Sequence, residues 1–435
     1  MPVFRLMSAF TINGGRVAVM GRRGGGGFWG WYVVFGALFI MAVNYGTRFI
    51  FGVFVAPMAE DLHWSRSAVA AGMSFLVLFY GIGGIFTGRL VDRIAPRWTI
   101  TWGACLMAAG LFSTTLVREP WQFYVTYGML CGTGGACFGV VVCNSSVGKW
   151  FVRRRGLALG TSSVGLGVGT MLLAPLAGFI VKNWGWRAGF STLATIMLIV
   201  GVGLGQTLMR KTRPEEHGLL PDGDPALVAA GEGYTGMPDL KPVLGPILRD
   251  SRFWIIAVCY GVAVMAELAA LVHQVAYARD RQIDPLAAAS SIGLIGVTGT
   301  LGRLFFGWFA DRLRDAKYAS ALGLIAMAGG MLLLVRADTA ALLFASSLLF
   351  GFGMGSIVTM MPYLLADRFG RDVLGTAYGM LNFLCAGIGG GLGPLLTGWL
   401  YDLRGSYILA WWIQLAALLV ATVLIFALKR GTQSR

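Results

Sequence analysis

Two six-residue strings decide how this chain folds: Gly88-Arg89-Leu90-Val91-Asp92-Arg93 and, 219 positions later, Gly307-Trp308-Phe309-Ala310-Asp311-Arg312. Each closes a long apolar run, and each sets a glycine four residues ahead of an adjacent acid and base. The same offset carries Gly156 to Gly375, Gly160 to Gly379 and Pro175 to Pro394. Repeated matches at one spacing mean that the chain is built twice in the same direction, as parallel repeats.

Working outward from these strings, the apolar runs number twelve: 29–57, 67–91, 98–117, 121–148, 156–181, 188–208, 253–278, 287–310, 317–335, 339–365, 373–401 and 406–428. Each is long enough to cross about 30 Å of hydrocarbon as a helix. Residues 210–252 carry Pro, Gly, Asp and Glu in the manner of a flexible linker. The expected organisation is a tail (1–28), a six-helix bundle (29–209), the linker, a second six-helix bundle (253–428) and a short tail (429–435).

Composition agrees with an all-α membrane protein. Of 435 residues, 56% are hydrophobic and 13% charged, and the mean hydropathy is +0.70. A water-soluble domain carries about 25% charged residues. Porin-type barrels alternate apolar and polar residues over about ten positions, whereas these runs are continuous. The 64 glycines suit close helix packing in lipid.

A net charge of +15 would suggest nucleic acid in a soluble protein, but here position decides. With the N-terminus inside, the tails and even-numbered loops, counted with Arg89 and Lys317 at the adjoining span ends, hold 25 of the 35 Lys and Arg, the odd-numbered loops 8 and the rest of the spans 2. The expectation is a multi-pass protein of the cytoplasmic membrane with both termini cytoplasmic, embedded in lipid, not bound to nucleic acid, and functional as a monomer. Residues 1–27 lack an apolar core followed by a small-residue cleavage site, so they do not read as a signal peptide.

Catalytic chemistry is not expected. Cys105, Cys131, Cys137, Cys143 and Cys385 fall inside spans and Cys259 near the start of another, all reading as buried thiols. The three histidines, His63, His217 and His273, share no metal-ligand spacing with them. Gly-x-x-x-x-Gly-Lys-Ser/Thr does not occur. No cofactor or metal is expected, nor an enzyme.

Twelve spans in two parallel repeats, with Gly-x-x-x-Asp-Arg after the second and again after the eighth, resemble the major facilitator superfamily of secondary transporters over essentially the whole chain. Within it, Gly27-Phe-Trp-Gly-Trp31 resembles the first signature of monocarboxylate transporters. Trp150-Phe-Val-Arg-Arg-Arg155-Gly156-Leu-Ala-Leu-Gly160-Thr-Ser-Ser-Val-Gly165 resembles the second. Arg48-Phe-Ile-Phe-Gly-Val-Phe54 and His63-Trp-Ser-Arg-Ser67 are similar to bacterial oxalate/formate antiporters and lactate transporters. In the repeated motif, Gly88 and Gly307 let helices approach, while Asp92 with Arg93 and Asp311 with Arg312 are expected to pair and hold the cytoplasmic face shut. The alternative is charge that only sets topology.

Three charged residues, Arg48, Glu267 and Arg303, lie away from the span ends. Arg303 sits near the middle of span eight, where a charge costs about 2.5–3.5 kcal/mol on insertion scales. Its planar fork matches a carboxylate, and its first-repeat counterpart is Gly84, so it is no by-product of the duplication. The resemblance implies that it is the substrate arginine. Arg48, late in span one, reads as a second cation for the anion or as a side chain snorkelling to the outer surface. Glu267 in span seven, the one acid inside a span, reads as a proton carrier or as a fixed counter-charge. Proton-coupled monocarboxylate transporters carry an aspartate one turn before the arginine. Gly299 stands there instead, which leaves proton symport by that pair in doubt.

His273 borders the site in bacterial relatives. Asn44, Tyr45, Asn144, Tyr363, Asn382 and Cys385 are further candidates to line the pocket. The expected function is secondary transport of a small organic anion, a monocarboxylate or similar, by proton symport or anion exchange. The rivals are an efflux carrier for hydrophobic or amphipathic compounds and a transporter-like anion sensor.

Overall fold

The computed structural model describes residues 28–211, 213–215, 221–223 and 244–429. Gly27 of the first signature, most of the linker with His217, and residues 430–435 lie outside the described residues. Twelve helical traverses make up most of the rest, and a short helix, Leu244–Arg249, stands at the end of the stretch read as a linker. They are α1 (Trp29–Phe49, resumed after a turn as Gly52–Leu62), α2 (Arg66–Arg93), α3 (Pro96–Thr114), α4 (Pro120–Trp150), α5 (155–184) and α6 (186–207). The second set is α7 (Ser251–Asp280), α8 (Pro285–Ala310), α9 (Lys317–Val335), α10 (Ala340–Phe369), α11 (Leu374–Arg404) and α12 (Ile408–Phe426).

Local chemistry sets the ends. Ser65, Asp284 and Thr339 cap α2, α8 and α10 by accepting from Ala68 N, Ala287 N and Leu342 N, which satisfies amides the helix itself leaves free. Proline opens α3, α4 and α8, where its missing N–H loses nothing. Ten stretches among the described residues are long and apolar enough to cross a membrane, and one of them, Arg155–Thr207, is twice the needed length. Gly185, at φ 81°, divides it. A Cβ on Gly189 would lie 3.0 Å from Val181 Cγ2, a contact impossible along one straight helix. The chain therefore reverses there, giving α5 and α6.

Glycine brings backbones together inside each set of six. A Cβ on Gly169 of α5 would lie 1.8 Å from the Ala42 carbonyl oxygen of α1, and one on Gly302 of α8 would lie 2.1 Å from that of Phe352 in α10. These approaches exclude any side chain and replace the hydrophobic effect, which does not act between helices in lipid. Four of the six cysteines are buried and Cys137 half-buried, but Cys105 is exposed on the outer surface of α3, contrary to expectation. An apolar chain solvated by lipid can place a small thiol there without penalty.

Candidate functional site

The two sets of six meet at the end of the molecule that carries the linker. Gly156 on α5 abuts Gly307 on α8, so a Cβ on either would fall 2.1 Å from the other's carbonyl oxygen. On the opposite flank a Cβ on Gly88 of α2 would lie 2.3 Å from Gly375 O of α11. Gly88 and Gly307 are repeat mates, as are Gly156 and Gly375, and each contact joins one set of mates to the other across the halves.

Acids complete the seal. Asp311 accepts from Gly156 N (2.7 Å) and Leu157 N (2.8 Å) at the start of α5. Its mate Asp92 accepts from Gly375 N (3.2 Å), Thr376 N (2.7 Å) and Thr376 Oγ1 (2.9 Å) at the start of α11. Each carboxylate thus satisfies free amides at the positive end of a helix in the other half. The expected Asp/Arg pairing is corrected: Arg93 and Arg312 are exposed, and Arg312 lies over the Trp308 ring at 4.0 Å. Asp92 pairs instead with buried Lys149 of α4 at 3.0 Å. An arginine beside the acid along the chain points to water, whereas α4 delivers a cation from inside. Lys149 was missed, although its repeat mate, Arg368, was a visible charge at the same end; Arg368 pairs with Asp315 and Asp367.

Among the described residues Asp311 has no such lysine. Tyr363 donates to it and Arg155 lies nearby, and burial pushes its carboxyl up to about 6 against the pull of the Leu157 and Gly156 amides. A carboxyl released to water titrates near 4, so the sealed end binds this proton more tightly than a parted one. Acid therefore favours the seal, an effect complete below about pH 4 and lost as pH rises through about 6. Exchange of the Gly156 and Leu157 amides, corrected for intrinsic rate, is expected to slow between pH 7.5 and 5, and Asp311→Asn to abolish that slowing.

Beyond the seal lies a cluster of charge. Arg303, 7% exposed, donates from Nη1 to the Thr300 hydroxyl at 3.2 Å, and among the described residues its buried Nε has no hydrogen-bond partner. Its charge is within electrostatic range of Glu267 on α7 and of Tyr45 on α1 in the other half. Arg48, equally buried, lays its guanidinium 4.0 Å from the Tyr80 ring centroid and 5.2 Å from that of Tyr45; its Nε and Nη1 are unpartnered. Burial corrects the idea that Arg48 snorkels outward. The Tyr45 and Tyr80 hydroxyls are 3.0 Å apart. Asn382 of α11 turns an unpartnered Nδ2 toward Gly84, the mate of Arg303. Arg48 and Glu267 are themselves mates at the 219 offset. The duplication has therefore placed opposite charges at corresponding positions of the two halves.

The remaining candidates have other partners. Asn44 donates to Gly135 O at 3.0 Å, joining α1 to α4. Cys385 donates to the Ala257 carbonyl oxygen, joining α11 to α7. His273 Nε2 lies 3.0 Å from Pro394 O, its ring against Tyr407. Tyr363 belongs to the seal. Asn144 reaches Val358 O (3.3 Å) and the Tyr378 hydroxyl (3.5 Å) across the halves. Sequence treats all polar groups in spans alike, and only packing separates those that bind neighbouring helices from those left free. Tyr80 was missed because nothing local distinguishes a tyrosine that carries an arginine from one that packs.

Two parallel helix sets, sealed at one end by repeated glycines and acids around a buried charge cluster, define a membrane transporter. The sequence description of the Major Facilitator Superfamily matches residues 37–394, and the chain belongs to that superfamily. It is 26% identical over 430 residues to Monocarboxylate transporter 12-B of Danio rerio, covering 92% of this chain and 87% of that protein. It is 26% identical over 407 residues to Monocarboxylate transporter 13 of Bos taurus, covering 92% and 90%. Among solved structures, the fold matches the transporter FucP in the outward conformation with a TM-score of 0.69 at 14% identity, over 92% of this chain and 99% of that one. It matches the human organic anion transporter MFSD10 (TETRAN) with 0.63 at 16%, over 91% and 98%. The protein is a transporter and not an enzyme.

Proposed function

We propose that the protein carries a small organic anion, a monocarboxylate or similar carboxylate, across the cytoplasmic membrane by alternating access of residues 29–209 and 253–428 around the central cluster. The linker side faces the cytoplasm, as the loop charges favour, and both termini lie there. One chain supplies both halves of the cluster, so a monomer suffices.

The observation that carries this reading is Arg303, a permanently charged group buried mid-span with an unpartnered Nε. A charge so placed needs an acceptor, and a carboxylate offers two oxygens in the plane of the fork. Arg48 adds a second cation from the other half, so the anion is held between the parts that move. Likeness to monocarboxylate transporters along most of the chain supports the same class. Glu267 is the counter-charge of Arg303 when the site is empty. Arrival of a substrate carboxylate displaces it, and a carboxylate without its cation in a low-dielectric site takes up a proton. Proton symport follows without the aspartate that Gly299 replaces.

The test is uptake into proteoliposomes of a labelled short monocarboxylate and of its uncharged amide. Uptake of the acid and not the amide is expected; equal uptake of both would exclude a carboxylate site. Under an inward proton gradient, Glu267→Gln is expected to reduce accumulation at least about tenfold while leaving exchange of internal for external substrate. Undiminished accumulation would remove Glu267 from coupling and favour anion exchange.

A further inference from the structure

The central linker, read from sequence as flexible, is fastened at two places, by residues 213–215 and by Asp222. Asp222 accepts from three consecutive amides in the loop between α4 and α5: Val152 N (2.8 Å), Arg153 N (2.7 Å) and Arg154 N (3.3 Å). It does so from the left-handed region, at φ 57°, which aspartate tolerates better than most residues. A few residues earlier, Glu215 Oε1 lies 2.9 Å from Arg371 Nη2, and Arg213 Nη1 lies 2.6 Å from Asp372 Oδ1, both in the loop between α10 and α11. Arg371 Nη1 continues to the Lys149 carbonyl oxygen at 3.0 Å. Pro214 and Pro221, beside these contacts, are buried.

The two loops gripped are repeat mates: the 219 offset carries Val152, Arg153 and Arg154 to Arg371, Asp372 and Val373. One stretch of linker thus holds corresponding loops of the two halves, at the end where those halves must part. The amides are shared out without overlap. Asp222 takes 152–154 from the linker side, and Asp311 takes Gly156 and Leu157 from the far half. No acid from the duplicated scaffold supplies the first set, because the linker occurs once.

We propose that residues 213–215 and Asp222 form a latch that holds the linker side shut and must release at one end before that side can open. The latch rests on the alternating-access reading, but not on the identity of the substrate. Exposed pairs such as Arg213 with Asp372 contribute little singly; the strength lies in the carboxylate on three amides and in one segment bridging two bodies.

Hydrogen exchange on the full-length protein in nanodiscs tests this without any substrate, reading each variant at the seal it does not touch. Asp222→Asn is expected to speed exchange of Gly375 and Thr376, held by Asp92, at least about threefold. Glu215→Gln is expected to do the same at Gly156 and Leu157, held by Asp311. Because either release frees the same segment, the double variant is expected to exceed neither single variant, the non-additivity of a shared element. Unchanged exchange at the remote seal in both single variants, with faster exchange only at 152–154 or 371–373, would overturn the latch. So would additive effects in the double variant. Absence of carboxylate transport in the wild type would overturn the proposed substrate and leave this result untouched.

Discussion

Replacing Arg303 with alanine is expected to lower the initial rate of carboxylate uptake at least about a hundredfold, with the folded protein retained. A hydrogen bond to a charged group contributes about 1.5–3 kcal/mol, and a bidentate pair makes two, so loss of about 3 kcal/mol is the smaller outcome; each 1.4 kcal/mol is tenfold. Among the described residues the guanidinium's one hydrogen bond goes to Thr300 in its own helix, so its removal breaks no hydrogen bond to another helix. The backbone of Arg303, which Gly160 and Thr359 approach, is unaltered. Arg303→Lys is expected to recover little, since a point charge does not reproduce the planar fork. Initial rates in proteoliposomes, beside unchanged thermal melting, check both variants. A normal rate in Arg303→Ala would show that the carboxylate docks elsewhere.

Gly156→Val is expected to lower net uptake at least about tenfold by a different route. Its Cβ would sit 2.1 Å from Gly307 O, which is backbone and has no rotamer by which to give way, and 2.9 Å from Asp311 Oδ1, the carboxylate of the seal. The linker side then cannot close, and the acid that caps α5 is pushed from its amides. Faster exchange at Gly375 and Thr376, on the other flank of the seal, is the expected sign that the halves have parted. Gly178→Ala, on the same helix with nothing within 4 Å of its Cβ, is the control and is expected to transport normally. Equal transport by both variants would mean that the Gly156–Gly307 contact is not part of the working cycle.

The repeated strings at Gly88 and Gly307 made the architecture legible, because a membrane imposes helix length and the duplication imposes order. The reversal at Gly185 left a clear gap in the hydropathy, and the deep charges Arg48, Glu267 and Arg303 were visible for the same reason: lipid tolerates few of them, so each one stands out. Partners were not visible. Asp92 finds Lys149 from another helix and not its neighbour Arg93, a choice fixed by which faces point inward. Asn44 and Cys385 resemble pocket residues in sequence and each bonds a neighbouring helix in space, Asn44 with its Oδ1 left unpartnered, whereas Tyr80 looks ordinary and supports a buried arginine. Asp222 lay in a stretch whose composition reads as flexible, and only its bonds to the amides of 152–154 give it a role.

The most direct measurement is calorimetric titration of the purified protein with short carboxylates, wild type against Arg303→Ala. Saturable binding in the wild type that disappears in the variant, with no binding of the corresponding amides by either, is the expected result. Carboxylate binding of equal affinity in the two proteins would contradict the assignment of Arg303 as the docking site.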